Sequence, residues 1–217
     1  MQVHHLCRQH SILNRFVFEL REVSIQKDRM RFRKNIERIG EILAFELSKK
    51  LAYTSKDATT PLGKKEMKLP DADVVICSVL RAGLPLHLGL LNFFDHADNG
   101  FISAYRKHLP GTNDFEIALN YLACPSLQDR TLLLCDPMLA SGKTFETAFR
   151  ALQSHGTPKE IHLVSLIGST PGIAYLESVF PNQTQLWIAD IDPVLNDKAY
   201  IVPGLGDAGD LAFGEKL

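Results

Sequence analysis

Short apolar runs that are each followed by a stretch of helical periodicity constrain this chain more than any other feature. Val74 to Val79 precedes Leu84 to Phe94, Leu132 to Cys135 precedes Phe145 to Leu152, and Ile161 to Ile167 precedes Ile173 to Val179; Leu186 to Ile191 continues the series. Runs without polar alternation suit strands covered on both faces, and strand then helix in repetition predicts an α/β protein built on a parallel sheet. Such sheets bind ligands beyond the C-terminal ends of their strands. At 217 residues the chain has a size that buries roughly 68–75% of its unfolded surface, so one domain over residues 1–217 is expected.

Ahead of that core, an N-terminal arm and helix occupy about residues 1–52. Phe32, Ile36, Ile39, Leu43 and Leu47 recur at the spacing of one helical face, which predicts an amphipathic helix from about Lys27 to Leu51. Its other face carries Arg29, Arg31, Arg33, Lys34 and Arg38, read as solvated because no aromatics interleave with them and Glu37 and Glu41 lie among them. His4, His5 and His10 are read as a solvated terminus rather than a metal site. Thr54 to Pro70, polar and broken by Pro61 and Gly63, is expected to be a loop.

Composition narrows the partners. A net charge of -1 supplies no overall field for nucleic acid or an acidic membrane, so an anion must be bound locally. Cys7, Cys77, Cys124 and Cys135 form no Cys-x-x-Cys pair and read as reduced thiols. No apolar run approaches the ~20 residues of a membrane span, and a cytoplasmic location is expected.

The run from Leu132 to Thr144 is a strand that empties into a small-residue loop and then opens a helix, a place where unpaired amides and the helix dipole receive phosphate. Gly142-Lys143-Thr144 resembles the end of a P-loop. That motif needs glycine where this chain has Pro137, which has no N–H to donate, so a nucleoside kinase is disfavoured. Asp136 at the strand end suits hydrogen bonds from ribose hydroxyls; the competing role is a turn cap, with Ser141 capping the helix.

In these stretches and in the order of elements between them, the chain resembles the uracil phosphoribosyltransferases. Asp136, Pro137, Met138, Leu139, Ala140, Ser141, Gly142, Lys143 and Thr144 correspond to that family's loop for the ribose 5-phosphate of 5-phosphoribosyl 1-pyrophosphate (PRPP). Leu80-Arg81-Ala82-Gly83 matches its pyrophosphate turn, Tyr105-Arg106 a second arginine site, and Tyr200 to Asp210 with Phe213-Gly214 its uracil-binding segment. The resemblance implies a parallel-sheet phosphoribosyltransferase type I (Rossmann-like) fold with a C-terminal base-binding hood. It implies transfer of a phosphoribosyl group from PRPP to uracil, giving UMP and pyrophosphate, with Arg81, Arg106 and Asp207 as catalytic residues and Ile201, Gly206, Asp207 and Ala208 at the uracil. Asp207 also belongs to the implied PRPP contacts. Mg2+ is implied through the pyrophosphate, with no residue assigned as its ligand. A homodimer or higher homo-oligomer is implied too, and neither nucleic acid nor membrane is among the expected partners.

Arginine suits this chemistry, because a charged planar fork meets the negative charge that gathers on departing pyrophosphate. The chain departs from the family pattern at Lys143, which stands in place of the second glycine of a pair; a side chain costs about 1 kcal/mol there if the backbone needs positive φ. Lys107 to Asp114 lacks the acidic run common after the second arginine, and Leu211-Ala212 are unusual in the terminal motif. Lys143 and the basic helix face motivate a competing reading, a non-catalytic regulator that binds PRPP or uracil nucleotides.

Overall fold

A computed structural model describes residues 1–108 and 115–216, with side chains from 104 to 118 outside that description. The elements run β1 (Gln2–His5), α1 (Ile12–Arg21), α2 (Arg29–Ser48), β2 (Tyr53–Thr60), β3 (Gly63–Pro70), β4 (Val74–Leu80), α3 (Gly83–Leu91), β5 (Asp98–His108) and β6 (Phe115–Ala123). They continue with β7 (Thr131–Cys135), β8 (Met138–Leu139), α4 (Lys143–Leu152), β9 (Glu160–Ser169), α5 (Thr170–Val179), β10 (Gln185–Asp192), β11 (Val194–Leu195), β12 (Ile201–Val202) and α6 (Ala208–Phe213).

Among the described residues the main sheet has the order β1-β10-β9-β7-β4-β5-β6, with β8 beside β9. Its pairs are parallel except for β5 with β6. The unbroken apolar runs arise because alternate residues enter two different cores. Val74 and Ile76 of β4 and Leu133 and Cys135 of β7 face the side packed by α1, α2, α3 and α6. Val75, Cys77 and Val79, with Leu132 and Leu134, face the side packed by Phe145, Ala148 and Leu152 of α4 and Leu176 of α5. Burying each such aliphatic side chain stabilises the sheet by about 1.5–3 kcal/mol, so neither face tolerates a polar residue cheaply.

Three sequence expectations change here. The first residues are not a frayed arm: β1 extends the sheet in parallel with β10, His4 stacks on Trp187 at 3.8 Å, and His5 Nε2 lies 3.0 Å from Asp190 Oδ1. The segment 54–70 is not a loop but most of an antiparallel hairpin, β2 against β3, whose turn is Pro61-Leu62. All its strand residues except Thr54 are exposed, so it shows none of the alternation by which half-buried strands are recognised. The basic face of α2 is solvated at Arg29, Arg31 and Lys34, which are exposed, but it also makes contacts within the chain. Arg33 Nη1 donates to Ala212 O at 2.7 Å, Arg38 lies over Phe16, and Arg31 reaches the buried carboxylate of Glu19.

Glu19 ties α1 to α2. It is 6% exposed and accepts from Asn35 Nδ2 at 2.8 Å, Arg15 Nε at 2.7 Å and Arg31 Nη1 at 3.3 Å. These donors, Asn35 first, hold its carboxyl at about 2, below the ordinary 4.5. The four cysteines are free, and burial pushes the Cys135 thiol upward.

Candidate functional site

β4 and β7 are neighbours in parallel, with Ser78 opposite Cys135, so the turns that follow them leave the sheet at the same end. The turn after β4 carries Arg81 and the turn after β7 carries Asp136. They lie close enough that a side chain added at Gly83 would sit 3.7 Å from the Cys135 carbonyl. Buried Ser78 and His87 brace the first turn from below: Ser78 Oγ is 2.9 Å from His87 Nδ1, and His87 Nε2 is 2.8 Å from Asn99 Oδ1. Burial lowers the His87 pKa, which favours the neutral ring in this relay.

The second turn is organised by its own backbone. Asp136 Oδ1 accepts from the Met138 amide at 3.1 Å, so Asp136 does serve as a turn cap. The Pro137 carbonyl accepts from the amides of Leu166 and Ile167, and Met138–Leu139 pairs with β9. Ser169 Oγ then donates to the Ala140 carbonyl at 2.6 Å while accepting from the Gly172 amide, clamping the loop to the start of α5. The N-cap of α4 is Gly142, not Ser141. Its φ is 79°, and no side chain of the N-cap residue bonds the first turn of the helix. A side chain on Gly142 would also approach Tyr175 Cδ1 to 2.9 Å.

This geometry settles the strain expected at Lys143. Among the described residues the positive-φ positions other than glycine are Asp129 and Ala199, so Lys143 begins α4 with ordinary backbone. The left-handed position belongs to Gly142 alone, and the cost anticipated for Lys143 does not arise. Thr144 follows it in the first turn, beside Glu146, whose Oε2 accepts from the Tyr175 hydroxyl. That bond, more than Arg150 and Lys143 nearby, lowers the Glu146 carboxyl from its ordinary range.

The terminal segment approaches the same end. Ile201 is buried in β12, which pairs with β11, and residues 203–207 run as irregular backbone into α6. Asp207 is the N-cap of α6, its Oδ1 accepting from the Asp210 amide at 2.9 Å, with Lys216 Nζ 3.7 Å from its other oxygen. Ala208 is buried, and Gly206 has a φ of 95°. Arg81 joins this segment to the sheet: its Nη2 donates to Asp210 Oδ1 at 3.0 Å and to the Gly214 carbonyl at 3.2 Å. A side chain added at Gly209 would meet Asp207 Oδ1 at 3.1 Å and Arg81 Nη2 at 3.7 Å.

Arg81, the 136–144 loop and the 201–210 segment are thus brought to one end of the sheet. Tyr105 and Arg106 lie on β5, opposite Ala118 and Ile117; their side chains, and residues 109–114 of the stretch read as lacking an acidic run, lie outside the described residues. A cleft of about 520 Å³ runs beside the terminal segment, with Gln26, Lys27 and Arg29 on one wall and Gly206, Asp207 and Asp210 on the other. The first wall was not anticipated, since nothing local marks these residues. Among the described residues no group of three His, Cys, Asp or Glu side chains is placed to hold a metal, and no helix is long and apolar enough to cross a membrane.

A mostly parallel α/β sheet whose strand ends gather an arginine turn, a helix-opening loop and a terminal segment over them defines a protein of the phosphoribosyltransferase class. The family model described as uracil phosphoribosyltransferase matches residues 7–215, and the chain belongs to that family. It is 52% identical over 217 residues to a uracil phosphoribosyltransferase of Porphyromonas gingivalis (strain ATCC 33277), covering 100% of both chains. It is 37% identical over 193 residues to one of Thermococcus gammatolerans, covering 88% of this chain and 84% of that one. Of solved structures, the AQ2163 protein from Aquifex aeolicus is similar at 29% identity with a TM-score of 0.86, covering 98% of each chain.

Proposed function

We propose that this chain, as a single phosphoribosyltransferase domain, transfers the phosphoribosyl group of PRPP to uracil, giving UMP and pyrophosphate. The observation that carries the reading is the bond from Arg81 to Asp210, which ties the expected pyrophosphate turn to the expected base segment. The loop from Asp136 to Thr144 receives the 5-phosphate on its amides and the α4 dipole. Arg81 and Arg106 hold the pyrophosphate, whose charge rises as the anomeric bond breaks, and a fixed cationic fork stabilises that state more than the ground state. Backbone groups of Ile201, Gly206 and Ala208 read the O2, N3–H and O4 edge of uracil, while Asp207 stands between base and pyrophosphate. Cytosine presents part of that edge reversed, leaving a buried group unpaired at about 1–3 kcal/mol.

Mg2+ fits this site as a passenger of the pyrophosphate. Asp207 and Asp210 offer the oxygen donors Mg2+ prefers, and two carboxylates suffice when phosphate oxygens and water complete its shell. When bound, it offsets charge on the leaving group. A homodimer or higher homo-oligomer is part of the reading: the β2–β3 hairpin is exposed on both faces, and a two-stranded ribbon without cover is marginally stable in water. A cytoplasmic location is consistent with four free thiols.

The regulator reading has less support than the transferase reading, since Lys143 occupies ordinary helical backbone and Arg33 and Arg38 are engaged within the chain. The test is pyrophosphate release from PRPP with uracil, cytosine, hypoxanthine and orotate offered separately, with and without Mg2+. Release with uracil alone, abolished by chelator, is expected; uracil-independent release or none overturns the proposal.

A further inference from the structure

Residues 203–207 lie between β12 and α6 with no strand partner, yet the uracil-facing amide must hold a fixed direction. Two contacts from the far end of the chain supply that direction. Arg21 Nη1 donates to the Gly204 carbonyl at 2.9 Å, and Gln26 Nε2 donates to the Leu205 carbonyl at 3.2 Å. The Leu205–Gly206 peptide is trans, the cis bonds being Leu80–Arg81 and Val202–Pro203. In a trans peptide the C=O and the next N–H point in opposite directions in one plane. A donor gripping the Leu205 oxygen therefore aims the Gly206 N–H the other way.

We propose that Gln26 is a positioning residue for uracil, acting through the Leu205–Gly206 peptide plane, with Arg21 fixing the plane before it. Glycine at 206, at φ 95°, gives the plane no side chain of its own to lock it, so an outside hold is needed. Gln26 is well placed to be rigid. Its two amide hydrogens are shared among three carbonyls, that of Leu205 and those of Leu20 at 2.8 Å and Arg21 at 3.3 Å, the last two anchoring it to the end of α1. Arg21 is anchored in turn: Nη1 bonds Asp192 Oδ2 at 2.8 Å and Nη2 bonds Asp190 Oδ2 at 3.0 Å. Both carboxylates stand at the end of β10, so the grip runs from the sheet through α1 to the base segment. Gln26 lines the same cleft as Gly206, which puts this hold at the edge of the site.

The inference rests on the uracil reading proposed above, and steady-state kinetics separates the two. In Gln26→Glu the donor becomes an acceptor facing a carbonyl oxygen, and in Gln26→Leu the donor is removed at similar size. Each is expected to raise KM for uracil about tenfold while KM for PRPP stays within about twofold, the loss of one well-placed hydrogen bond in base binding alone. Arg21→Lys keeps the charge without the fork and is expected to shift the same parameter. Hydrogen exchange at the Leu205 and Gly206 amides of the folded variants should quicken relative to wild type, a readout independent of turnover. An unchanged KM for uracil in both Gln26 variants, or a parallel rise in both KM values, overturns the positioning role while leaving the activity intact. A wild-type protein that releases no pyrophosphate with uracil overturns the functional reading and this inference with it.

Discussion

Arg81 and Asp210 lie 129 positions apart and meet at 3.0 Å, Nη2 to Oδ1. The arginine expected to hold pyrophosphate is therefore already in contact with the terminal segment expected to hold the base. Arg81→Ala should lower kcat/KM about 100-fold or more by removing a charge that acts mainly on the leaving group. Asp210→Asn keeps the shape and removes the charge that steadies Arg81, so a fall of about tenfold is expected, borne mainly by KM for PRPP. Initial rates against each substrate in turn check both.

Gly142 and Lys143 should answer oppositely to small changes. Gly142→Ala places a side chain at φ 79° and against Tyr175, so it should destabilise the protein by about 1–2 kcal/mol or more and weaken PRPP binding. Lys143→Gly restores the family's glycine pair at a position that needs no special backbone. It should cost up to about 1 kcal/mol of helix propensity and raise KM for PRPP a few-fold through the lost charge. Urea melts and PRPP titrations of the two variants test this contrast.

The clamp at Ser169 holds the 136–144 loop, proposed above to receive phosphate, to the start of α5. Ser169→Ala removes both the donor to Ala140 O and the acceptor for the Gly172 amide, so about 1–2 kcal/mol of stability should be lost. KM for PRPP should rise and KM for uracil should not. Kinetics with each substrate varied at saturating levels of the other reads the difference.

Glu19 supplies a pH signature. Its carboxyl titrates at about 2 in the folded protein and near 4.5 when the donors are absent, so its charged form contributes stability that is complete above about 4.5. That contribution declines as the pH falls from 4.5 toward 2. Glu19→Gln should be destabilised by about 1–3 kcal/mol at pH 7, with the gap to wild type closing across that interval. Denaturation midpoints of the two proteins from pH 7 down to the acid limit of folding give the test.

What could be read in the sequence and what could not divides by the range of the interaction. The strand, loop and helix from Leu132 to Leu152 were legible because the periodicity, the glycine and the small residues are all local. The competing role of Ser141 as helix cap falls to Gly142 instead, since only the closed loop decides where left-handed backbone falls. The hairpin across 54–70 was missed because both of its faces are exposed, which removes the alternation, although Pro61-Leu62 and Gly63 are its turn. His4 and His5 looked like a solvated terminus because their partners, Trp187 and Asp190, are some 180 residues away. Gln26 and Arg21 are the extreme case. Ordinary polar residue types at the last position of α1 and in the stretch after it carry no mark of a role, and the carbonyls that Gln26 and Arg21 hold lie 179 and 183 positions downstream.

The single indole of this chain, Trp187, is sandwiched where β1 joins the sheet, its ring parallel to His4 and its N–H given to His162. Emission from the protein is consequently a local gauge of the edge strand. Release of the first five residues would unstack that ring and change its brightness even with β7 and β9 still paired. An optical melt followed at this fluorophore therefore records fraying at one margin, and circular dichroism must accompany it for the rest of the sheet to be seen.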